Sequence, residues 1–153
     1  MKEDIGNLWT YPADAIVIST NGYVNKNGKA VMGRGCAREA VQRWPFFPMI
    51  LGEAIKKRGN IVFVWGLQIV NDQNEMVDLL NIITMPVKNN WWELADLNLI
   101  EKSAKDLKAE VDMWHFDQVV MPQVGCGNGG LDWKDVKPIL EEILDDRFTA
   151  ITF

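Results

Sequence analysis

Two glycine-rich segments hold the residues of this chain that are best suited to bind an anion. The second segment reads Val124-Gly125-Cys126-Gly127-Asn128-Gly129-Gly130-Leu131, and it follows an apolar stretch that ends at Pro122. Residues without a Cβ let the main chain approach a diphosphate, and the exposed N–H groups of such a loop attract negative charge. A helix predicted to begin after Asp132 would add the positive end of its dipole. An ordinary glycine-rich turn without a ligand is the alternative.

The first segment follows a β-branched stretch near the amino end. Residues 13–20 predict a short strand that ends at Asn21-Gly22, and Gly33-Arg34-Gly35 then opens a predicted helix. Both segments therefore place glycine-rich backbone after a strand. Open α/β sheets bind ligands in the crevice outside the carboxyl ends of their strands. Two such loops at one crevice predict a pocket for a long, anionic ligand rich in hydroxyl groups.

The elements that must position these loops alternate between strand and helix patterns. We predict strands at 16–19, 61–65, 67–70, 79–84, 118–121 and 150–153, and helices at 35–44, 48–57 and about 94–111. A last helix follows Asp132. Because Pro138 removes a helix hydrogen bond, its regular part is expected to begin only near that proline. Strands interleaved with helices predict a three-layer α/β/α sandwich.

Size and composition narrow the classes of function. The 153 residues, 48% of them hydrophobic, predict a single domain over 1–153 with its own core. No apolar run reaches the roughly 20 residues of a membrane helix. The net charge of −5 argues against duplex nucleic-acid binding, which depends on neutralisation of phosphates by Lys and Arg. One His and two Cys argue against a zinc site and a disulfide framework, and they favour a reducing, cytoplasmic setting.

Seven tryptophans raise the question of base stacking, but core packing is the preferred interpretation. Trp44, Trp65 and Trp114 lie within or beside apolar segments, where aromatic side chains usually fill the core. Trp91-Trp92 is the one pair that could be exposed, and packing at a helix start is preferred there as well. Cys36 is interpreted as a small packing residue and not as a nucleophile.

Several motifs together make the chain resemble a macro domain. They are Gly6-Asn7-Leu8, Asp14-Ala15-Ile16-Val17 running to Asn21, Gly33-Arg34-Gly35, Lys88-Asn89-Asn90-Trp91-Trp92, and Gly125-Cys126-Gly127-Asn128-Gly129-Gly130-Leu131. These motifs occur in the family's order along essentially the whole chain. The resemblance implies a central mixed sheet with helices on both faces, and a pocket for ADP-ribose or a derivative. We expect no cofactor and no metal.

The resemblance also implies roles at the two ends of that pocket. Asn7 stands where the family usually has an Asp that accepts a hydrogen bond from the adenine amino group, and Leu8 would offer its backbone N–H to the ring. Phe153 would flank the adenine. Asn21 would bind the hydroxyls of the distal ribose, for which a plain Asn-Gly turn residue is the alternative.

The glycine segments would hold the middle of such a ligand. Gly33, Arg34 and Gly35 would lie against the distal ribose and a phosphate, although Arg34 is equally well interpreted as solvated helix surface. Residues 125–130, with Val124 and Leu131 beside them, would wrap the diphosphate.

The catalytic residues are less well specified. One branch of the family removes ADP-ribose with a lysine after the first glycine loop and an Asp in the second, where this chain has Val41 and Gly129. A lysine adduct is therefore not expected unless Lys26 or Lys29 reaches the pocket.

The second loop is closer to macro domains that process ADP-ribose 1″-phosphate. That likeness implies a hydrolase in which Asn21 orients the distal sugar and Asp132 transfers a proton. A helix N-cap, worth about 1 kcal/mol, is the preferred alternative for Asp132. Three functions stay open: an ADP-ribose 1″-phosphate phosphatase or ADP-ribosyl hydrolase, a non-catalytic module that binds ADP-ribose or an ADP-ribosylated macromolecule, and a binder of another nucleotide diphosphate.

Overall fold

The computed structural model describes residues 1–152, and these form a six-stranded sheet. Its strands are β1 Lys2–Ile5, β2 Ala15–Asn21, β3 Phe63–Val70, β4 Met76–Lys88, β5 Val119–Pro122 and β6 Phe148–Thr152. They lie in the order β1-β6-β5-β2-β4-β3. Neighbouring strands are parallel except for β3 and β4, which are antiparallel. The central sheet is therefore mixed, as the family resemblance implied.

Helices cover both faces of this sheet. They are α1 Gly35–Arg43, α2 Phe47–Arg58, α3 Leu97–Trp114 and α4 Trp133–Ile143. Alternate residues of β2 face opposite layers, because Ala15 and Val17 join the core beneath α3 and α4, whereas Ile16 and Ile18 join the core beneath α1 and α2. Burial on both faces explains the continuous apolar run of β2. The predicted α/β/α sandwich is confirmed. Within residues 1–152, no helix combines the length and hydrophobicity of a membrane crossing.

Both edges of the sheet differ from the sequence prediction. The pattern gives no indication of β1, because its residues are mostly charged and all exposed, and its partner β6 comes from the other end of the chain. β3 is one strand that continues through Gly66, where two strands were expected. The strand expected at 79–84 is longer at both ends, and it reaches Lys88.

The last helix begins earlier than predicted. α4 starts at Trp133 and continues through Pro138, so the expectation of a start near the proline is wrong. Pro138 and Lys134 are both exposed, so the Lys134 carbonyl that the proline leaves without a helix partner can bond solvent. Asp132 occupies the N-cap position, but its side chain makes no capping hydrogen bond.

The tryptophans are only partly placed as predicted. Trp44 is buried and Trp65 is partly buried, which agrees with core packing. Trp114 is 54% exposed at the last residue of α3, so core packing is wrong there. Trp91 and Trp92 are 51% and 59% exposed, so the preference for packing is wrong for this pair too. They lie on the segment between β4 and α3, outside both core clusters.

Candidate functional site

A cavity of about 1030 Å³ lies along the carboxyl ends of the parallel strands. Strands β6, β5, β2 and β4 are neighbours in that order, and their last residues, Thr152, Pro122, Asn21 and Lys88, all line the cavity. Because neighbouring strands are about 4.8 Å apart, these four strand ends span about 14 Å. This edge of an α/β sheet is where ligands usually bind, and the cavity is large enough for an elongated small molecule.

The two glycine-rich loops meet at this cavity. Gly33, Arg34 and Gly35 line it from the amino end of α1, and the segment from Gly125 to Gly129 lines it from the loop after β5. A Cβ built at Gly35 would stand 3.7 Å from the Asn128 side-chain nitrogen, so the loops nearly touch. The sequence expectation that both loops face one crevice is met.

Backbone N–H groups from both loops are available to an anion. The amides of Gly127 and Asn128 donate to no acceptor within residues 1–152. α1 begins after Arg34, whose side chain makes no capping hydrogen bond, and the first N–H groups of a helix have no partner inside it. Because Gly35 and Cys36 at this helix end also line the cavity, amides and a helix dipole act on the same space.

At Gly127 glycine matters both for the backbone conformation of the second loop and for the cavity wall. Its φ of 65° lies in the left-handed region, which residues with a Cβ rarely adopt. No heavy atom lies within 4 Å of a Cβ built on it. A larger residue would therefore strain the backbone and also project into open space at the cavity wall.

One end of the cavity, which we call the Lys88 end, contains Asn21, Lys88, Trp91 and Trp92. Asn21 is 8% exposed; its Nδ2 donates to the Val31 carbonyl at 2.9 Å, and its Oδ1 accepts from the Tyr23 N–H at 3.0 Å. Lys88 is the sheet partner of Asn21. Its Nζ donates to the Trp91 carbonyl at 3.0 Å. Hydrogen bonds thus hold both polar side chains at the ends of two adjacent strands.

The two cysteines also line the cavity, but their thiols are poor nucleophiles. Burial raises the pKa of Cys36 and also that of Cys126, to which the nearby Asp132 carboxylate adds a smaller rise. Thiolate, and not thiol, is the reactive form. Cys36 Sγ lies 3.5 Å from Ser19 Oγ and packs partly against the core, which agrees with its predicted packing role.

The structure brings most of the predicted ligand residues to the cavity. Those in the lining are Leu8, Asn21, Gly33, Arg34, Gly35, Gly125, Cys126, Gly127, Asn128 and Gly129. Four others lie outside it, namely Asn7, Val124, Gly130 and Leu131. Phe153 lies outside the described residues. The ligand roles of all these residues stay predictions.

Asn7 and Asp132 are the two predicted site residues with polar side chains that do not line the cavity. Asn7 is exposed, and its Oδ1 accepts from the Trp9 N–H at 2.8 Å, so it closes its own turn. The Asp132 side chain is 74% exposed and lies 4.0 Å from Lys134 Nζ. Within residues 1–152, no cluster of His, Cys, Asp and Glu is placed to hold a metal ion.

Sequence reasoning missed the lysine in the lining. Lys26 and Lys29 do not line the cavity, and Lys88 is its only lysine within residues 1–152. The signal was present, because the apolar run at 82–87 ends at Lys88, just as the run of β2 ends at Asn21. Extending the predicted strand by four residues would have placed both at one edge.

A family model for the macro domain matches residues 53–140. The chain belongs to the macro domain family. In this macro domain the match ends inside α4, and the matched segment includes Lys88 and the whole second glycine loop.

Relatives and solved structures agree with this membership. A DNA ADP-ribosyl glycohydrolase of Mycobacterium tuberculosis is 32% identical over 125 residues, which cover 81% of this chain and 35% of the relative. The macrodomain of Mycobacterium tuberculosis DarG has a TM-score of 0.78 at 25% identity and covers 99% of this chain and 97% of that one. Thermosipho africanus DarTG in complex with ADP-ribose shares the fold, with a TM-score of 0.78 at 17% identity over 98% of this chain and 41% of that one. The macro domain spans about a third of the length of the curated relatives it matches.

Proposed function

We propose that this macro domain binds ADP-ribose and hydrolyses the bond that joins the distal ribose to an acceptor group on DNA. One observation carries the proposal. A cavity along four strand ends has in its wall the amides of Gly127 and Asn128, which have no acceptor among residues 1–152, and the Asn21–Lys88 pair lies at one end. Those features suit a diphosphate flanked by a sugar whose C1″ faces a lysine.

The proposal includes an orientation for the ligand, which this arrangement supports. The diphosphate lies between the second loop and the amino end of α1, where N–H groups and the helix dipole attract negative charge. The adenine lies at the opposite end of the cavity, lined by Leu8, Ile151 and Thr152, which we call the Leu8 end. Leu8 and Ile151 are buried apolar residues, which suit an aromatic ring. The distal ribose then lies at the Lys88 end.

The relatives support glycosidic hydrolysis over release of a 1″-phosphate. The curated relatives that match most of the chain are named as DNA ADP-ribosyl glycohydrolases. Hydrolysis of a C1″ glycosidic bond requires a group that can act at C1″. At the Lys88 end that group is the Lys88 amine, and not Asp132, which does not line the cavity.

The chemistry proposed for Lys88 is attack at C1″ by its neutral amine. The Nζ–C1″ bond forms while the bond from C1″ to the acceptor breaks, and the acceptor leaves with the electron pair and takes the proton that the amine loses. Water then attacks C1″, the Nζ–C1″ bond breaks, and Lys88 regains a proton. Asn21 positions the ribose hydroxyls during both steps.

The test is release of free ADP-ribose from an ADP-ribosylated oligonucleotide, with ADP-ribose binding measured separately by calorimetry. We expect Lys88→Ala and Lys88→Arg each to lower kcat by about 100-fold or more, because arginine keeps the charge but is not a nucleophile. Lys26→Ala and Lys29→Ala are matched controls and should keep wild-type kcat. Full activity of Lys88→Arg would contradict nucleophilic attack, and ADP-ribose binding without any product would leave a non-catalytic reader.

A further inference from the structure

Two tryptophans at the Lys88 end have no role in the function proposed so far. Trp91 and Trp92 line the cavity, yet 51% and 59% of their surfaces are exposed. Large aromatic side chains left exposed at the rim of a binding cavity usually mark a recognition surface. We call this pair the tryptophan platform.

The platform is held in a defined orientation. The Trp91 and Trp92 ring centroids are 5.5 Å apart with planes at 89°, and Tyr23 contacts Trp92 edge to face at 5.3 Å and 70°. Edge-to-face contacts of this kind stabilise aromatic pairs. Because the rings are already ordered, a planar ligand that stacks on them loses little additional side-chain entropy.

The platform is also joined directly to the proposed reacting group. Lys88 is the last residue of β4, and its Nζ donates to the backbone carbonyl of Trp91 at 3.0 Å. The platform therefore starts only three residues after Lys88 in the sequence and is hydrogen-bonded to its amine. In the proposed orientation C1″ of the distal ribose faces Lys88. The group bonded to C1″ in the intact substrate therefore extends out of the cavity beside the tryptophan platform.

We propose that the tryptophan platform stacks on the nucleobase that carries the ADP-ribosyl group, within single-stranded DNA. The inference rests on the proposed function and names the part of its substrate that contacts the protein outside the ADP-ribose cavity. Stacking on aromatic side chains is how single-stranded nucleic acids are bound without sequence readout. The charge of the chain favours this mode over phosphate contacts, because the net charge is −5 and the cationic residues of the lining are Arg34 and Lys88.

The test compares two substrates in tryptophan variants. One substrate is a short single-stranded oligonucleotide ADP-ribosylated on a base, and the other is the same oligonucleotide ADP-ribosylated on its terminal phosphate. Trp92→Ala should lower kcat/KM about 5- to 150-fold for the base-linked substrate, with a much smaller loss for the phosphate-linked one. Trp91→Ala is the second variant, and Trp92→Phe should recover most of the activity. Calorimetry of these tryptophan variants should give the wild-type affinity for free ADP-ribose.

Trp114→Ala is the matched control, because Trp114 is 54% exposed but lies at the end of α3, outside the cavity lining. This variant should leave kcat/KM unchanged for both substrates. Equal losses on both substrates, or no loss on the base-linked one, would overturn the proposal. The affinity for the base-linked oligonucleotide should also fall only weakly with salt, and a steep dependence would indicate phosphate contacts instead.

Failure of the proposed function and failure of this inference give different results. A wild-type protein that releases no ADP-ribose from either substrate contradicts hydrolysis. Fluorescence anisotropy with the intact base-linked oligonucleotide still tests the platform in that case. Weaker binding by Trp92→Ala, but not by Trp114→Ala, supports the inference, and equal binding by all three proteins overturns it.

Discussion

The two ends of the cavity are built in different ways. At the Lys88 end, Asn21 and Lys88 project from adjacent strand ends, and each is held by hydrogen bonds to backbone groups. At the Leu8 end the lining is mainly the buried apolar residues Leu8 and Ile151, and the nearby Asn7 is turned to its own backbone. The Lys88 end therefore offers ordered polar side chains that can act on a ligand. The Leu8 end offers mainly shape and apolar surface, with Thr152 as its polar residue.

This comparison predicts that variants affect binding according to where they lie along the cavity. The largest loss of ADP-ribose affinity should come from the middle of the cavity, where the diphosphate joins the two ends of the ligand. Gly127→Val places a β-branched residue at a φ of 65°. Its side chain should block ligand access to the Gly127 and Asn128 amides, which have no acceptor in the described part of the chain. Hydrogen bonds to charged groups contribute about 1.5–3 kcal/mol each, so losing two should weaken ADP-ribose binding by about 100-fold or more. Calorimetry with ADP-ribose measures this.

Gly59→Val is the control for backbone strain. Gly59 also has a positive φ, 93°, and open space at its Cβ, but it is the C-cap residue of α2 and does not line the cavity. Its ψ of 179° lies in a region that only glycine readily adopts. Both variants should lose about 1–3 kcal/mol of unfolding free energy, and only Gly127→Val should lose binding. Equal affinities in the two variants would place the diphosphate elsewhere.

The next largest effect should come from Asn21. Asn21→Ala removes the buried amide that donates to Val31 and accepts from Tyr23. It should lower the free energy of unfolding by about 1–3 kcal/mol, because the Val31 carbonyl and the Tyr23 N–H lose their partner. Loss of one hydrogen bond to the ribose should weaken binding by about 3- to 10-fold. Chemical denaturation and calorimetry measure the two effects.

Asn25→Ala is the control that distinguishes an effect on the loop from an effect on ligand contact. Asn25 Oδ1 accepts from the Asn27 and Lys29 N–H groups, so its loss disturbs the same connection between β2 and α1. Asn25 does not line the cavity. It should lose stability with little change in affinity, and a loss of affinity equal to that of Asn21→Ala would mean that Asn21 acts only through the loop.

The sequence predicted the Lys88 end only in part. Asn21 was placed correctly because a strand and its turn are local patterns, and the apolar run of β2 marks where the strand ends. Lys88 was missed because the predicted strand stopped at residue 84, so the lysine was not placed at a strand end. The exposed Trp91 and Trp92 were missed because an aromatic residue in a sequence has no signal that separates core packing from a cavity rim.

The rest of the fold shows the same limit. The central strands and the amphipathic stripe of α3 follow from hydrophobic periodicity, and the layer order follows from their alternation. β1 depends on pairing with β6 across almost the whole chain, and its exposed charged residues carry no periodic pattern. α4 can continue through Pro138 because Lys134, whose carbonyl the proline leaves without a helix partner, is exposed to solvent. Neither cause is encoded in a short window of sequence.

The smallest effect should come from Asn7, at the Leu8 end. Asn7 lies outside the cavity lining and its Oδ1 already accepts from the Trp9 N–H. Asn7→Ala should therefore lower the free energy of unfolding by about 1 kcal/mol or less and change ADP-ribose affinity less than about twofold. Asn7→Asp keeps an acceptor for Trp9, so it should be neutral for stability as well.

Calorimetry with ADP-ribose and with a guanine diphosphate sugar sharpens this last prediction. If the Leu8 end recognises the base by shape alone, both Asn7 variants should keep the wild-type ratio of the two affinities. A shift of that ratio in Asn7→Asp would show that this side chain leaves its turn to contact the ring, as the family resemblance implies. Equal wild-type affinities for the two ligands would instead remove adenine from the proposed function, because the cavity would then select only a nucleotide diphosphate sugar.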